Sequence, residues 1–251
     1  MRIEHEGYVP LHNIDIDITP PSGCYKVWVD GAYDVGRNRK GAAGVIFDAR
    51  DDYHPLFALG FDLRSLNLNG SELAELCAAV LTLQAVQDRR VVELTTDCQS
   101  LKGTLNRQKH LSRQAVDPCP SLAALAAMNE RTQKIARRTK RKQKNVSPKR
   151  TKPQSSLLRT LLYHRFKGSI IKQSELGCDP KIRHVARNFE NIPLADKFAA
   201  AAARFKATEA AAYLPKNMNG TSFILYSLDK NAFPIRTHVF APENMDALEA
   251  S

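Results

Sequence analysis

From Tyr25 onward, apolar and polar positions fall into short, separable blocks. Lys26-Val27-Trp28-Val29 reads as a strand that ends at Asp30-Gly31. Ala42–Phe47 follows after a loop rich in Gly, Asn and basic residues, and Leu56–Leu63 makes a third strand. Three strands joined by short loops predict an antiparallel meander. The period then changes. Asn69-x-x-Glu72 has the form of a capping box, and helical spacing runs from there to about Gln87. Val91–Thr96 is a fourth strand ending at Asp97, and a second helix is expected from Cys98 or Gln99.

Beyond that point Ser121 to about Gln143 reads as a long helix, apolar at first and then basic, which Pro148 and Pro153 interrupt. Ser155–Phe166 resumes the helical pattern with Leu157, Leu158, Leu161 and Leu162. Ile182–Val185 is a fifth short strand, and Pro193 opens an alanine-rich helix to about Tyr213. The tail holds two apolar stretches, Ser222–Leu228 and Arg236–Phe240, whose pattern fits either a hairpin or irregular chain. This order predicts an α/β fold with a mixed five-stranded sheet flanked by helices. It divides the chain into a leader (1–24), a main domain (25–213) with a basic insertion at about 120–155, and a C-terminal extension (214–251).

Composition narrows the class. The 251 residues are 43% hydrophobic and 25% charged, ordinary for one or two globular domains. No run approaches the ~18 apolar residues of a membrane span, and Met1–Asn13 lacks the apolar stretch of a secretory signal. Five scattered cysteines without a CxxC pair argue against a disulfide scaffold and a structural zinc site. The expectation is a soluble intracellular protein of nucleus or cytoplasm, with the mitochondrion as a third option. The net charge is +11, and the segment from Arg131 to Pro153 alone holds eleven basic residues and no acidic one, so the remainder is formally neutral. A neutral body with one basic arm suits a polyanion, because each phosphate neutralised releases counterions. The same run also reads as a nuclear-import or solubilising segment.

Four carboxylates fall at element ends: Asp30 after the first strand, Glu75 in the first helix, Asp97 after the fourth strand, and Asp196 in the first turn of the last helix. Singly, each has a structural reading as a turn former or as an anion at a helix start. Glu75 is the exception. Its neighbours Leu73, Leu76, Cys77, Val80, Leu81 and Leu83 make most of that helix apolar, and a carboxylate on a buried helix needs a partner. Glu72 is the rival, with a capping role as its simpler reading.

At these residues the sequence resembles type 1 ribonuclease H. The matching stretches, in the family's order, are Val29-Asp30-Gly31-Ala32 with Ala42-Ala43-Gly44-Val45, Glu75-Leu76-Cys77-Ala78-Ala79-Val80, Thr96-Asp97-Cys98-Gln99, and Asn191 through Asp196-Lys197-Phe198-Ala199. The resemblance covers about Tyr25 to Ala203. It implies a three-antiparallel-then-two-parallel sheet and a site of four carboxylates, Asp30, Glu75, Asp97 and Asp196. Such a hard oxygen site suits Mg²⁺ or Mn²⁺, with two ions clamping the attacking water and the leaving oxygen of a phosphodiester. The implied substrate is the RNA strand of an RNA/DNA hybrid, sensed through its 2′-hydroxyls. Gln99 and Asn38 stand at or near family positions that contact nucleic acid, and Arg137, Arg138, Lys140, Arg141 and Lys142 are candidates from the basic segment.

The chain departs from the family in three places. Before Asp196 it carries Arg187 and no Gly where many members have a mobile His, and His184 nearby reads as a partly exposed filler. Asp97 and Asp196 are 99 residues apart, more than the family norm, with the basic segment between them. The tail after Tyr213 matches no pattern. Two alternatives stand beside the nuclease: an inactive nucleic-acid-binding or structural module of the same fold, and a ribonuclease H domain derived from a retroelement.

Overall fold

The computed structural model describes residues 4–6, 20–112, 153–204, 207–215 and 221–240. Strands β2 (Cys24–Asp34), β3 (Arg39–Asp48) and β4 (Pro55–Asp62) form the antiparallel meander that alternation predicts. Helix α1 (Ser71–Ala85) crosses to β5 (Arg90–Thr96), which pairs parallel to β2. Helices α2 (Gln99–Ser112) and α3 (Pro153–Glu175) precede β6 (Lys181–His184), parallel to β5. Then come α4 (Ile192–Ala202), α5 (Ala207–Tyr213) and a hairpin of β7 (Ser222–Leu228) and β8 (Pro234–Phe240).

Among the described residues the mixed α/β sheet therefore has eight strands, not five, in the order β1 (Glu4–Glu6), β8, β7, β4, β3, β2, β5, β6. The tail hairpin docks β7 parallel to β4, and β1 (Glu4–Glu6), from the stretch read as a leader, pairs antiparallel with β8. The inward residues of the hairpin explain the addition. Phe223 and Phe240 stack on one face, and Tyr226 stacks on Phe61 of β4 on the other. Aromatic pairs of this kind add to the area they bury.

Both sheet faces are covered. On one, Val27, Val29, Leu59 and Phe61 meet Leu76, Ala79, Val80 and Leu83 of α1 and Leu162, Phe166 and Ile170 of α3. On the other, Trp28, Val45 and Phe47 meet Phe198, Ala199 and Ala202 of α4. Helix α1 lies between the sheet and α3, so every residue from Leu73 to Leu83 is buried, Glu75 included. Two polar anchors hold α3. Gln173 accepts from the Val91 N–H (2.8 Å) and donates to the Arg89 carbonyl (2.7 Å), fixing the start of β5. The buried Arg165 donates to the Asn231 and Ala232 carbonyls and lies over Phe233, pinning the β7–β8 turn.

Several expected boundaries shift. Asp30 does not close its strand: β2 runs on to Asp34, because pairing with β3 continues to Asp34↔Arg39. The capping box does not form. Gly70 precedes α1 with no side-chain cap, and Glu72 turns instead to Arg159 of α3 at 3.4 Å. The alanine-rich helix divides into α4 and α5, and Asp196 falls in the second turn of α4 rather than the first. Arg137, Arg138, Lys140, Arg141 and Lys142, like the Ser121–Gln143 helix, lie outside the described residues. Among the described residues no helix is long and apolar enough to cross a membrane.

Candidate metal centre

Strand register brings the first two carboxylates together. Strands β2 and β5 run parallel with Trp28 opposite Thr95. Counting two residues further on each strand reaches Asp30 and Asp97, so the end of β5 delivers Asp97 beside Asp30. The turn after β5 is shaped locally by the Thr96 hydroxyl, which accepts the Cys98 N–H (3.1 Å).

The third carboxylate depends on a glycine. A Cβ at Gly31 would stand 2.5 Å from the Ala74 carbonyl carbon and 2.9 Å from its oxygen, nearer than real side chains approach backbone. Only a bare Cα lets α1 settle onto β2 at this point, and that descent lowers Glu75 to Asp30. Gly41 does the same on the opposite face. A Cβ there would stand 2.5 Å from the Ala203 nitrogen, so α4, which carries Asp196, packs directly on β3.

The outcome is an acidic triad. One carboxylate oxygen from each of Asp30, Glu75 and Asp97 lies within 4.8 Å of the others. Asp30 is 2% and Glu75 8% exposed, and Asp97 is half-buried. The Asp30 Oδ1 accepts the Gly31 N–H (2.7 Å), whereas Asp30 Oδ2 and Glu75 Oε2 are buried without a hydrogen-bond partner among the described residues. Burial first, and the Asp30 carboxylate second, drive the Glu75 pKa far above the ordinary carboxylate range. Burial also raises Asp30, aided by the charges of Asp97 and Asp196 and opposed by its hydrogen bonds to Glu75 and Gly31.

No protein-family model matches the chain, and no curated protein matches it significantly. The chemistry of the site rests on its own donors. Three carboxylates crowded to this distance with two unpartnered oxygens make a poor resting place for bare charge and a good one for a hard cation, because oxygen donors suit Mg²⁺, Mn²⁺ or Ca²⁺. The triad Asp30, Glu75 and Asp97 can hold a metal ion.

The other expected site residues are placed differently. Asp196 is outside this close triad. Its side chain is 45% exposed and its Oδ1 accepts from the Arg187 Nη2 at 3.3 Å. It remains near enough for its charge to act on Asp30. Arg187 lies in the field of the whole cluster: Asp196, then Asp30, and more weakly Asp97 push its pKa further up. Gln99 is exposed on the first turn of α2. Asn38 is exposed in the β2–β3 turn with φ of 49°, and its N–H donates to the Val35 carbonyl, so its observed role is in the turn. Glu72, half-exposed beside Arg159, is not in the triad.

One contributor, His184, reads as filler in the sequence. Its Nε2 lies 3.1 Å from the Asp97 carbonyl oxygen, and its strand places it opposite Thr96. It braces the backbone from which Asp97 projects. A lone His on a short strand carries no sequence signal for this, since His184 stands 87 residues after Asp97.

Proposed function

We propose that this chain is a divalent-metal-dependent endonuclease of the ribonuclease H type, hydrolysing the RNA strand of RNA/DNA hybrids. The observation that carries the reading is the buried triad. Two of its carboxylates come from the centre and the end of adjacent parallel strands, and the third from the helix crossing them. Those are the positions to which the sequence resemblance assigns Asp30, Glu75 and Asp97, on a sheet with the antiparallel-then-parallel order the resemblance implies.

In this mechanism Asp30, Glu75 and Asp97 would hold one or two Mg²⁺ or Mn²⁺ ions, with Asp196 completing the set. A cation bound there would lower the pKa of a water and offset charge that develops on the phosphodiester. The chain's own groups do the rest. Asp30 and Glu75 must both be ionised to bind a cation, which the raised pKa of both makes dependent on pH. His184 fixes the Asp97 backbone. Arg187, 76% exposed at the rim, holds Asp196 and presents a guanidinium to an approaching phosphate. Basic residues of the 131–153 segment supply salt-sensitive affinity for the duplex.

The test is cleavage of an end-labelled RNA/DNA hybrid in Mg²⁺, Mn²⁺ or EDTA, beside duplex RNA and duplex DNA. Metal-dependent cutting of the RNA strand of the hybrid alone is expected. Asp97→Asn is expected to lower the rate by at least ~100-fold with hybrid binding kept, since removing one preorganised electrostatic group costs this much or more. Cleavage by Asp97→Asn at the wild-type rate would sink the assignment. Binding without cutting in either metal would point instead to an inactive nucleic-acid-binding module.

A further inference from the structure

A second charged group is buried without compensation, on the far end of α4 from the acidic site. Arg204 is only 9% exposed, yet among the described residues its Nε and Nη1 have no hydrogen-bond partner. One face of its guanidinium is covered by the Tyr213 ring, 3.4 Å from the ring centre. The α4 C-terminus, ending at Ala202, supplies some negative potential. Neither feature accepts a hydrogen bond from the two N–H edges.

The surroundings add positive charge. Gly41 faces α4 at Ala203, and Arg39, two residues before it on β3, lies on the same sheet face by strand alternation. Arg37 stands just before it in the β2–β3 turn. After burial itself, Arg39 is the strongest influence lowering the Arg204 pKa, and Arg37 acts in the same sense; Glu209 and Tyr213 oppose them. Among the described residues none of the three arginines has a carboxylate within ion-pair distance. A buried guanidinium with unsatisfied donors, beside two more of the same charge, is unfavourable alone. A phosphate oxygen is an acceptor of the charge and chemical type that guanidinium groups take.

Two rulers place this cluster relative to the acidic residues Asp196 and Asp30. Asp196 and Arg204 are eight residues apart along α4 and its extension, or about 12 Å. Asp30 and Asp34, the register partner of Arg39, are four residues apart along β2, or about 13 Å. Both equal three to four nucleotide rises of ~3.4 Å along one strand of a duplex.

We propose that Arg204, Arg39 and Arg37 form a phosphodiester subsite that grips the nucleic-acid backbone a few nucleotides from the metal centre. This rests on the nuclease reading for its ligand, and on the buried unpartnered guanidinium for its existence. The subsite meets the backbone and not the bases, so it fixes the register of the strand without selecting sequence.

The experiment uses the full chain with Arg204→Met and, separately, Arg39→Gln. Hybrid binding is followed by fluorescence anisotropy in EDTA across a salt series, and inorganic phosphate is titrated in thermal melts against chloride at equal ionic strength. Each variant is expected to bind the hybrid about tenfold more weakly. The slope of log K against log salt should shrink by about 0.9, the value for one phosphate no longer neutralised. Arg204→Met is expected to melt in chloride no lower than wild type, because it removes an uncompensated buried charge, and to lose the stabilisation by phosphate. Unchanged hybrid affinity and salt slope in both variants would overturn the proposal. So would a lower melting temperature in Arg204→Met with the phosphate response intact, which would mark Arg204 as a packing residue on Tyr213. A phosphate response that needs the arginines while hybrid affinity does not would assign the cluster to a free phosphorylated ligand and overturn the strand reading. If Arg204→Met does not fold, Arg39→Gln, a half-buried strand-end residue, decides the question. Wild-type protein that binds hybrid through these arginines but never cuts it would refute the nuclease function and leave the subsite standing.

Discussion

Replacing Glu75 with Gln should make the metal-free protein more stable, although the position is buried in the core. Glu75 is 8% exposed, one of its oxygens is unpartnered, and burial followed by the Asp30 charge pushes its pKa from 4.5 to about 11. At about pH 7.5 the native protein therefore holds a proton that the unfolded chain has released. From 4.5 to about 7.5 is some three pH units, and at 1.36 kcal/mol per unit the penalty reaches about 4 kcal/mol. Relaxation and water entry reduce this, so about 2 kcal/mol is the working figure, or roughly 4–8 °C in melting temperature.

The sign with pH follows directly. A carboxyl whose folded pKa is raised supports the native state fully below its unfolded pKa, and that support is lost as pH climbs toward the folded value. Wild type in EDTA should thus lose up to about 1.4 kcal/mol per pH unit between pH ~5 and ~8. Asp30, raised from 3.8 to about 6, adds to the loss over the lower part of that window. Glu75→Gln should flatten the curve, since Gln releases no proton yet still donates to Asp30. Metal displaces the same proton, so Mn²⁺ should stabilise wild type increasingly as pH rises and stabilise the variant little. Urea titrations at pH ~5, ~6.5 and ~8, in EDTA and in Mn²⁺, measure all of this. A Glu75→Gln variant that is less stable than wild type at pH ~8 in EDTA, with an unchanged pH slope, would refute the reasoning.

Other outcomes follow from the same geometry. Gly31→Ala puts a methyl group into the backbone of α1 and should cost at least ~1–3 kcal/mol in a denaturant melt while weakening metal binding, because α1 must retreat and take Glu75 with it. A variant with wild-type stability and metal response would show that the close approach is not needed. His184→Ala removes the brace on the Asp97 carbonyl and should raise the metal concentration for half-maximal cleavage ~10-fold with little change in the saturated rate, as outer-shell changes do. An unchanged metal titration would mean that β6 packing alone fixes Asp97.

Most of the secondary structure is legible because periodicity is local. The alternation of Val27 and Val29 and the helical apolar run around Glu75 need only their neighbours to be read. Even the preference for Glu75 over Glu72 follows from local burial; in the structure Glu72 faces Arg159, and Glu75 lies in the group with Asp30 and Asp97. What fails locally depends on distant partners. Asp30 reads as a strand end because Asp-Gly is a turn signal, yet ten consecutive pairings with β3 carry the strand past it. The tail strands β7 and β8 become definite only once Phe61 of β4 offers Tyr226 a ring to stack on.

Local residue order is enough to show which carboxylates this protein possesses, which of them sits on a helix too apolar to leave the core, and that its excess positive charge is concentrated in one segment. Tertiary structure alone decided their distances. The β2–β5 register set Asp97 beside Asp30, Gly31 admitted α1, and α4 placed Asp196 at the rim beside Arg187. It also left Nε and Nη1 of the buried Arg204 without an acceptor among the described residues. Residue type sets the charge a side chain can carry, whereas its pKa, its metal-binding capacity and its unmet hydrogen bonds depend on burial and on neighbours distant in sequence.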